Sequence, residues 1–388
     1  MPRPLALVFF VSVMVLVTGG LHYYLWARLI RDTVMPAPYR GVATWLLISF
    51  AVAMPATLLA NRVLPRGVMA VLVWPAYVWM GFMMLLFLVL LVGDAVRLGS
   101  HVAGVDGERR AFLLRAIGAG AAAIAGGAGL FAIRNALGAL RVTHHEVTLA
   151  NLPRVLDGTK IVQLTDLHVG PMIGRDWLAN VVARTNALSP DVVAITGDLV
   201  DGSVAQLRDS VAPLAGLKAR YGVFFVTGNH EYYSGVVEWE AELGRLGVRV
   251  LRNEHVRVGA AADGTGESFD LAGVDDYNAK GFAHGHGPDM PRAVAGRAAG
   301  RALVLMAHQP RHVHEASQHG VGLQLSGHTH GGQIWPWGFM VRLQQGFLAG
   351  LQRVGDTWLY TSCGTGYWGP PMRLGADPEI ARSVLRSA

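Results

Sequence analysis

Five short passages of this chain concentrate side chains able to hold metals and move protons. They are Asp166-Leu167-His168, Gly197-Asp198-Leu199-Val200-Asp201, Gly228-Asn229-His230-Glu231, the separate His308, and Gly327-His328-Thr329-His330. Each follows an apolar run of strand character: Lys160 to Thr165, Asp191 to Thr196, Tyr221 to Thr227, Ala302 to Ala307 and Val321 to Leu325. Extended residues two apart face the same side, so Asp166 with His168, and His328 with His330, can each reach one ion. The glycine at 327 permits a tight turn before the second pair. Five strand ends thus deliver carboxylates, imidazoles and an amide to one edge of a sheet, where α/β folds place their sites. Taken singly, each passage is ordinary, since a Gly-Asp is a common turn and a buried histidine is more often satisfied by the core than by a metal. The ordered set carries the information.

Helical patterns at Arg175 to Ala187, Val204 to Leu217 and Val236 to Leu246 separate the early strands, which gives the strand, helix, strand order of a layered α/β domain. Phe269 to Gly273 and Trp358 to Thr361 read as further strands, and Ala260 to Gly266 and Ala283 to Pro288 as glycine-rich loops. His284, His286, His312, His314 and His319 fall in a loop or on a helical segment and read as solvated surface. Cys363 is the single cysteine, which excludes an intrachain disulfide and a multi-cysteine zinc site, and reads as a small core residue.

The ordered motifs resemble the calcineurin-like metallophosphoesterase superfamily over Asp166 to His330. Lys160 to His168 and Gly327 to Gln333 look like its membrane-bound bacterial branch, which includes relatives of UDP-diacylglucosamine hydrolases. The resemblance implies that Asp166, His168 and His330 hold one divalent ion and Asn229, His308 and His328 a second, with Asp198 shared. It also implies that His230 protonates the leaving oxygen, so that His230 and Asn229 are the catalytic pair. Glu231 would orient His230 or form a surface salt link, and Asp201 would support a ligating loop. Mixed oxygen and nitrogen donors without thiolate suit two ions of Mn²⁺, Fe or Zn²⁺. Such ions lower the pKa of water toward neutrality and draw charge from phosphoryl oxygens.

The rest of the composition concerns a membrane. Of 388 residues 52% are hydrophobic and 15% charged, against roughly 25% charged in soluble domains. Pro4 to Ala27, Gly41 to Ala60, Gly67 to Gly93 and Ala116 to Ile133 contain no Asp, Glu, Lys or Arg and read as spans. On composition alone the fourth, rich in Gly and Ala, fits a buried soluble helix too. Its flank, Arg109-Arg110-Ala111-Phe112-Leu113-Leu114-Arg115, resembles a twin-arginine export signal, the plainer alternative being a basic membrane flank. This makes residues 1–133 a four-helix membrane domain and residues 134–388 the α/β domain. Residues 1–133 hold ten Arg and four acids while the remainder is neutral, so the basic balance flanks the membrane and gives no support to nucleic-acid binding.

Arg28, Arg31, Arg40, Arg97, Arg109, Arg110 and Arg115 outnumber Arg3, Arg62, Arg66, Arg134 and Arg141 across the membrane, which puts the α/β domain outside the cytoplasm, on an inner membrane. The spans lack embedded charges, which disfavours a transporter, and the complete motif set disfavours a non-catalytic scaffold. The expectation is a membrane-anchored phosphohydrolase acting on a phosphodiester or pyrophosphate of a lipid-linked, envelope or small phosphorylated substrate. UDP-diacylglucosamine pyrophosphate hydrolysis is the alternative. Ile334 to Leu351, with Trp335, Trp337, Phe339 and Phe347, is either packed under the sheet edge or a lipid contact.

Overall fold

The computed structural model describes residues 3–60, 66–259 and 266–388, so Arg62 of the charge count and residues 260–265 of the first glycine-rich loop lie outside the described residues. The chain divides into two compact units, residues 1–137 with 369–372 and residues 138–368 with 373–388.

In the first unit α1 (Arg3–Trp26), α2 (Ala37–Ala60), α3 (Arg66–Val102) and α4 (Gly107–Leu137) are each long and apolar enough to cross a membrane. The fourth span is therefore one long helix, with Arg109 and Arg110 in its first turns. The turn after α1 and the end of α3 meet through Arg28 with Asp94 (2.8 Å) and Arg97 with Asp32, while Arg28 also pairs with Asp32 (3.0 Å) within the turn itself. The start of α4 joins them through Arg115, whose Nε donates to the carbonyl of Thr33 at 3.1 Å. Arg28, Arg97 and Arg115 thus share one end of the helices.

The second unit stacks two six-stranded sheets. Its strands are β1 (Arg141–Leu149), β2 (Lys160–Leu164), β3 (Val192–Thr196), β4 (Val223–Val226), β5 (Arg249–Val250), β6 (Glu254–Val258), β7 (Phe269–Gly273), β8 (Leu303–Met306), β9 (Leu323–Ser326), β10 (Gly350–Val354), β11 (Thr357–Thr361) and β12 (Glu379–Ser387). The orders are β1-β12-β2-β3-β4-β5 and β10-β11-β9-β8-β7-β6. The central strands are buried on both faces, which is why they read as unbroken apolar runs rather than alternating ones. Val192, Ala194, Phe224 and Val226 of the first sheet meet Leu271, Val304, Met306, Leu323 and Leu325 of the second in the core. The opposite face of the second sheet, including Ala272, Leu303 and Leu305, packs against Met290, Ala293 and Ala316. On the helical side, α5 (Arg175–Ala187) buries Leu178, Val181 and Val182.

Three expectations change. Val204 to Leu217 is not one helix, because α6 (Val204–Val211) gives way to a 3₁₀ turn, Ala212–Gly216, with Pro213 near its start. β1 and β12 were not foreseen, since both alternate polar residues and gain their hydrogen bonds only by pairing with each other and with β2. The ligand-bearing loops do not share one sheet edge. Those after β2, β3 and β4 leave the first sheet and those after β8 and β9 leave the second, so the cluster forms where the ends of both sheets converge.

Candidate metal centre

Among the described residues three groups place ligand atoms within 4.8 Å of one another: Asp166, His168 and His330; His168, Asp198 and His230; and Asp198, His308 and His328. Asp166, Asp198 and His308 are almost wholly buried. The Asp-x-His and His-x-His residues reach inward by a route other than extended alternation. β2 ends at Leu164, and Asp166 and His168 then take φ values of 52° and 47°; Asp198, His328 and His330 follow at 50°, 69° and 51°. Five candidate ligands thus sit in the left-handed region, which costs a non-glycine residue free energy and persists only where surrounding structure enforces it. Gly197 (φ 86°) provides the bend before Asp198, whereas Gly327 is needed for space, because a Cβ there would strike Thr165 Oγ1 and the Asp166 carboxylate.

Hydrogen bonds select which nitrogen each histidine presents. His308 Nδ1 donates to the Thr196 carbonyl at 2.8 Å, leaving Nε2 facing Asp198 Oδ2 at 3.1 Å and His328 Nδ1 at 3.2 Å. His168 Nδ1 is held by Asp201 Oδ1 at 3.0 Å, and its Nε2 faces His330 Nε2 at 3.1 Å. Both Asp166 oxygens accept from His328 N at 3.0 Å, and Thr165 Oγ1 donates to Oδ2 at 2.8 Å. The Asn229 side-chain oxygen is buried without a hydrogen-bond partner. Imidazole nitrogens facing each other at 3.1–3.2 Å, two buried carboxylates and an orphaned amide oxygen gather oxygen and nitrogen lone-pair donors in one place, so the donor set fits divalent cations. Burial opposes ionisation of Asp198, yet His308 and His230 outweigh it and hold its carboxyl far below the usual range. Burial likewise opposes a charge on His308, but Asp198 raises it well above the usual imidazole range.

His230 opens toward solvent beside this cluster. Its Nδ1 lies 2.6 Å from Asp201 Oδ1 and its backbone N donates to Asp198 Oδ1 at 2.9 Å. Burial would lower its pKa, but Asp198 and Asp201 carry it up to about 9. Asp201 therefore orients both His168 and His230. Glu231 does neither task expected of it, being buried and accepting the backbone N–H groups of Leu199 (2.8 Å), Asp198 (3.1 Å) and Gly228 (2.7 Å), and so it ties the second and third loops together. Burial, with Asp198 adding to it, pushes its carboxyl up to about 7.

Sequence reasoning missed three supporting residues. Arg373 is fully buried and donates to the carbonyls of His330 (2.8 Å) and Cys363 (2.6 Å); burial lowers its pKa to about 10. Gln163, the polar residue inside the apolar β2, bridges the sheets by donating to Thr196 Oγ1 (2.8 Å) and the Ser326 carbonyl (2.9 Å). Buried Asp276 accepts from Gln309 at 3.0 Å. Among the histidines set aside as surface, His314 is exposed but His312 is buried, with burial first and then His308 and Arg311 lowering its pKa to about 4. Cys363 is half-buried rather than core, and burial pushes its thiol up to about 12.

A model of the calcineurin-like phosphoesterase family matches residues 159–332. The chain is 41% identical over 303 residues to a bovine (Bos taurus) transmembrane protein with metallophosphoesterase domain, covering 76% of this chain and 67% of that protein. A protein of the same description from Danio rerio is 39% identical over 264 residues, covering 67% and 60% respectively. The metallophosphoesterase YkuE of Bacillus subtilis, described as uncharacterized, is 30% identical over 290 residues, covering 72% and 98%. This chain thus spans about three fifths to two thirds of the vertebrate proteins and nearly all of the Bacillus one.

Glu231→Ala strips three buried N–H groups of their acceptor. At roughly 1–3 kcal/mol for each buried donor left unmet, it should destabilise the α/β unit by at least about 3 kcal/mol. Chemical denaturation of the full chain in detergent, followed by tryptophan fluorescence, reads this as a lower midpoint for that unit, and an unchanged midpoint would contradict the bracing role.

Proposed function

Because the chain belongs to the calcineurin-like metallophosphoesterase family, we propose that it is a membrane-anchored, dinuclear metal-dependent phosphohydrolase cleaving phosphodiester or pyrophosphate bonds. The observation that carries this is the meeting of Asp166, His168, Asp198, His308, His328 and His330 in overlapping ligand groups, beside the unpartnered oxygen of Asn229. Asp166, His168 and His330 would hold one ion and Asn229, His308 and His328 the other, with Asp198 common to both. Ions of Mn²⁺, Fe or Zn²⁺ held there would supply an acidified water and would draw electron density from the phosphoryl oxygens. His230, aligned by Asp201, delivers a proton to the departing oxygen. Asn229 would serve both as a ligand and, with His230, as the catalytic pair.

A lipid-linked or envelope substrate is supported by the surface that follows the last histidine pair. Trp335, Trp337, Phe339, Met340 and Leu343 are exposed, the last at 82%, whereas Ile334 is buried and Phe347 is half-buried against His314, so packing accounts for the ends of the segment and not its middle. Four of the exposed five are large aromatic or branched side chains of the kind that enter a membrane interface. The arginine distribution supports a domain outside the cytoplasm, and Arg109-Arg110 with Phe112-Leu113 is read as a twin-arginine export signal. Membership of the branch containing UDP-diacylglucosamine hydrolases belongs to the same proposal, but that nucleotide-linked substrate is cytoplasmic. It becomes the leading substrate if the domain proves to face the cytoplasm.

Three experiments test this reading. Purified full chain should contain two metal ions and hydrolyse members of a panel of phosphomonoesters, phosphodiesters and lipid phosphates, with activity lost to a chelator and restored by metal. Asp198→Ala should lose both metal and activity, whereas His230→Ala should keep the metal and lose about 10²–10⁴ in kcat. Full activity with two metals in Asp198→Ala would reject the assignment. Protease added to intact spheroplasts should digest the α/β domain of the parent but spare it when Arg109 and Arg110 are both replaced by Lys. Equal digestion rejects the export signal, and sparing of both rejects the topology. Trp335→Ala combined with Trp337→Ala should cut hydrolysis of a lipid phosphate in vesicles while sparing a small soluble diester. Equal effects on both substrates would remove the lipid argument.

A further inference from the structure

The wall beside His230 is aromatic, and its rings are open to solvent although each lies against another ring. Tyr233 follows His230 by three positions on α7 (Asn229–Ser234), so the two share a helix face, with ring centroids 5.3 Å apart at 66°. Trp368 stands edge-on to the same imidazole at 5.9 Å and 78°, and Phe282 extends the wall from Tyr233 at 5.2 Å and 73°. Tyr233, Phe282 and Trp368 remain 58%, 53% and 56% exposed. Large rings left exposed beside a buried polar cluster expend hydrophobic free energy unless something covers them.

Trp368 is also held in place. The Gln333 side chain accepts from Trp368 N at 3.0 Å and donates to the Trp368 carbonyl at 2.7 Å, a reciprocal amide clamp. Gln333 takes φ 51° and ψ −57°, backbone strain of the kind kept where a position is enforced. The clamp runs directly from the passage Gly327–Gln333, which carries two of the ligating histidines, to the ring that faces His230.

We infer that Tyr233, Phe282 and Trp368 form the subsite for the leaving-group half of the substrate, and that this half carries an apolar chain or ring. The inference rests on the reading of His230 as the proton donor. The leaving oxygen must lie within hydrogen-bond reach of His230, so the carbon skeleton attached to it must extend past the rings that flank that imidazole. Hydrolysis then balances simply: water adds its oxygen to phosphorus, the bond from phosphorus to the leaving oxygen breaks, and His230 protonates that oxygen. The apolar product is the released alcohol or alkyl phosphate, while the phosphoryl group retained by the metal side carries the smaller or more polar substituent. The inference thus assigns a direction to the cleavage of an unsymmetrical substrate.

Ethyl octyl phosphate tests the direction within one molecule, because its two alcohols depart with nearly equal intrinsic ease. Metal-loaded full chain in detergent should release octanol over ethanol by about tenfold or more, the gain from covering only two of the extra methylenes. With the P¹-ethyl-P²-octyl pyrophosphate in ¹⁸O-labelled water, the label should appear in ethyl phosphate by the same margin. Trp368→Ala and Tyr233→Ala should bring the ratio to within about twofold of even, whereas Trp368→Phe should keep it. A ratio that is even or reversed in the parent, or unmoved in both alanine variants, overturns the subsite while leaving the hydrolase standing. Absence of metal-dependent hydrolysis of either compound and of every member of the wider panel overturns the hydrolase and the subsite together.

Discussion

Burying two carboxylates, Asp166 and Asp198, within reach of five imidazoles is the constraint around which the α/β domain is organised. Charged groups withdrawn from water are costly unless opposite charge and hydrogen bonds compensate them. Thr165 and the backbone of His328 satisfy Asp166, His230 N and His308 satisfy Asp198, and cations would complete the balance. Strands ending at one level in two facing sheets are what allow so many short loops to bring their side chains to one place.

The same constraint explains the strain and the bracing. Left-handed backbone at Asp166, His168, Asp198, His328 and His330 turns the side chains toward a shared point, and something must hold each loop there. Glu231 gathers three N–H groups of two loops, Asp201 holds two imidazoles, and Arg373 fixes the carbonyl of His330. Polar bracing of this kind is directional, so it preserves geometry that apolar packing alone would leave adjustable.

Outside the cluster the domain keeps unusually apolar surface in two places, the segment from Trp335 to Leu343 and the rings beside His230. Both are reached from the loops that carry ligating histidines. Charged groups at the floor of the cluster and exposed rings beside it are the two environments on which the proposal of an amphiphilic phosphate ester rests.

The long apolar helices, the central strands and the candidate ligands were legible in the residues themselves, because length without charge, unbroken apolar runs and short motifs at strand ends are local signals. Asp166, His168, Asp198, Asn229, His308, His328 and His330 could be listed from their motifs, but their route into the cluster could not. It depends on left-handed φ values and on two sheets, which alternation along one chain does not encode. β1 and β12 escaped for a related reason, since each exposes polar residues and exists only through a partner more than two hundred residues away. Glu231 beside His230 suggested a local pair, yet its carboxylate turns to backbone donors on two loops, one of them thirty residues earlier in the chain. Arg373, in a proline- and glycine-rich stretch, carried no local signal at all. Its burial and its carbonyl partners come into being only when the chain folds back on the last histidine pair, because hydrogen bonds between distant segments are a property of the assembled structure rather than of residue order.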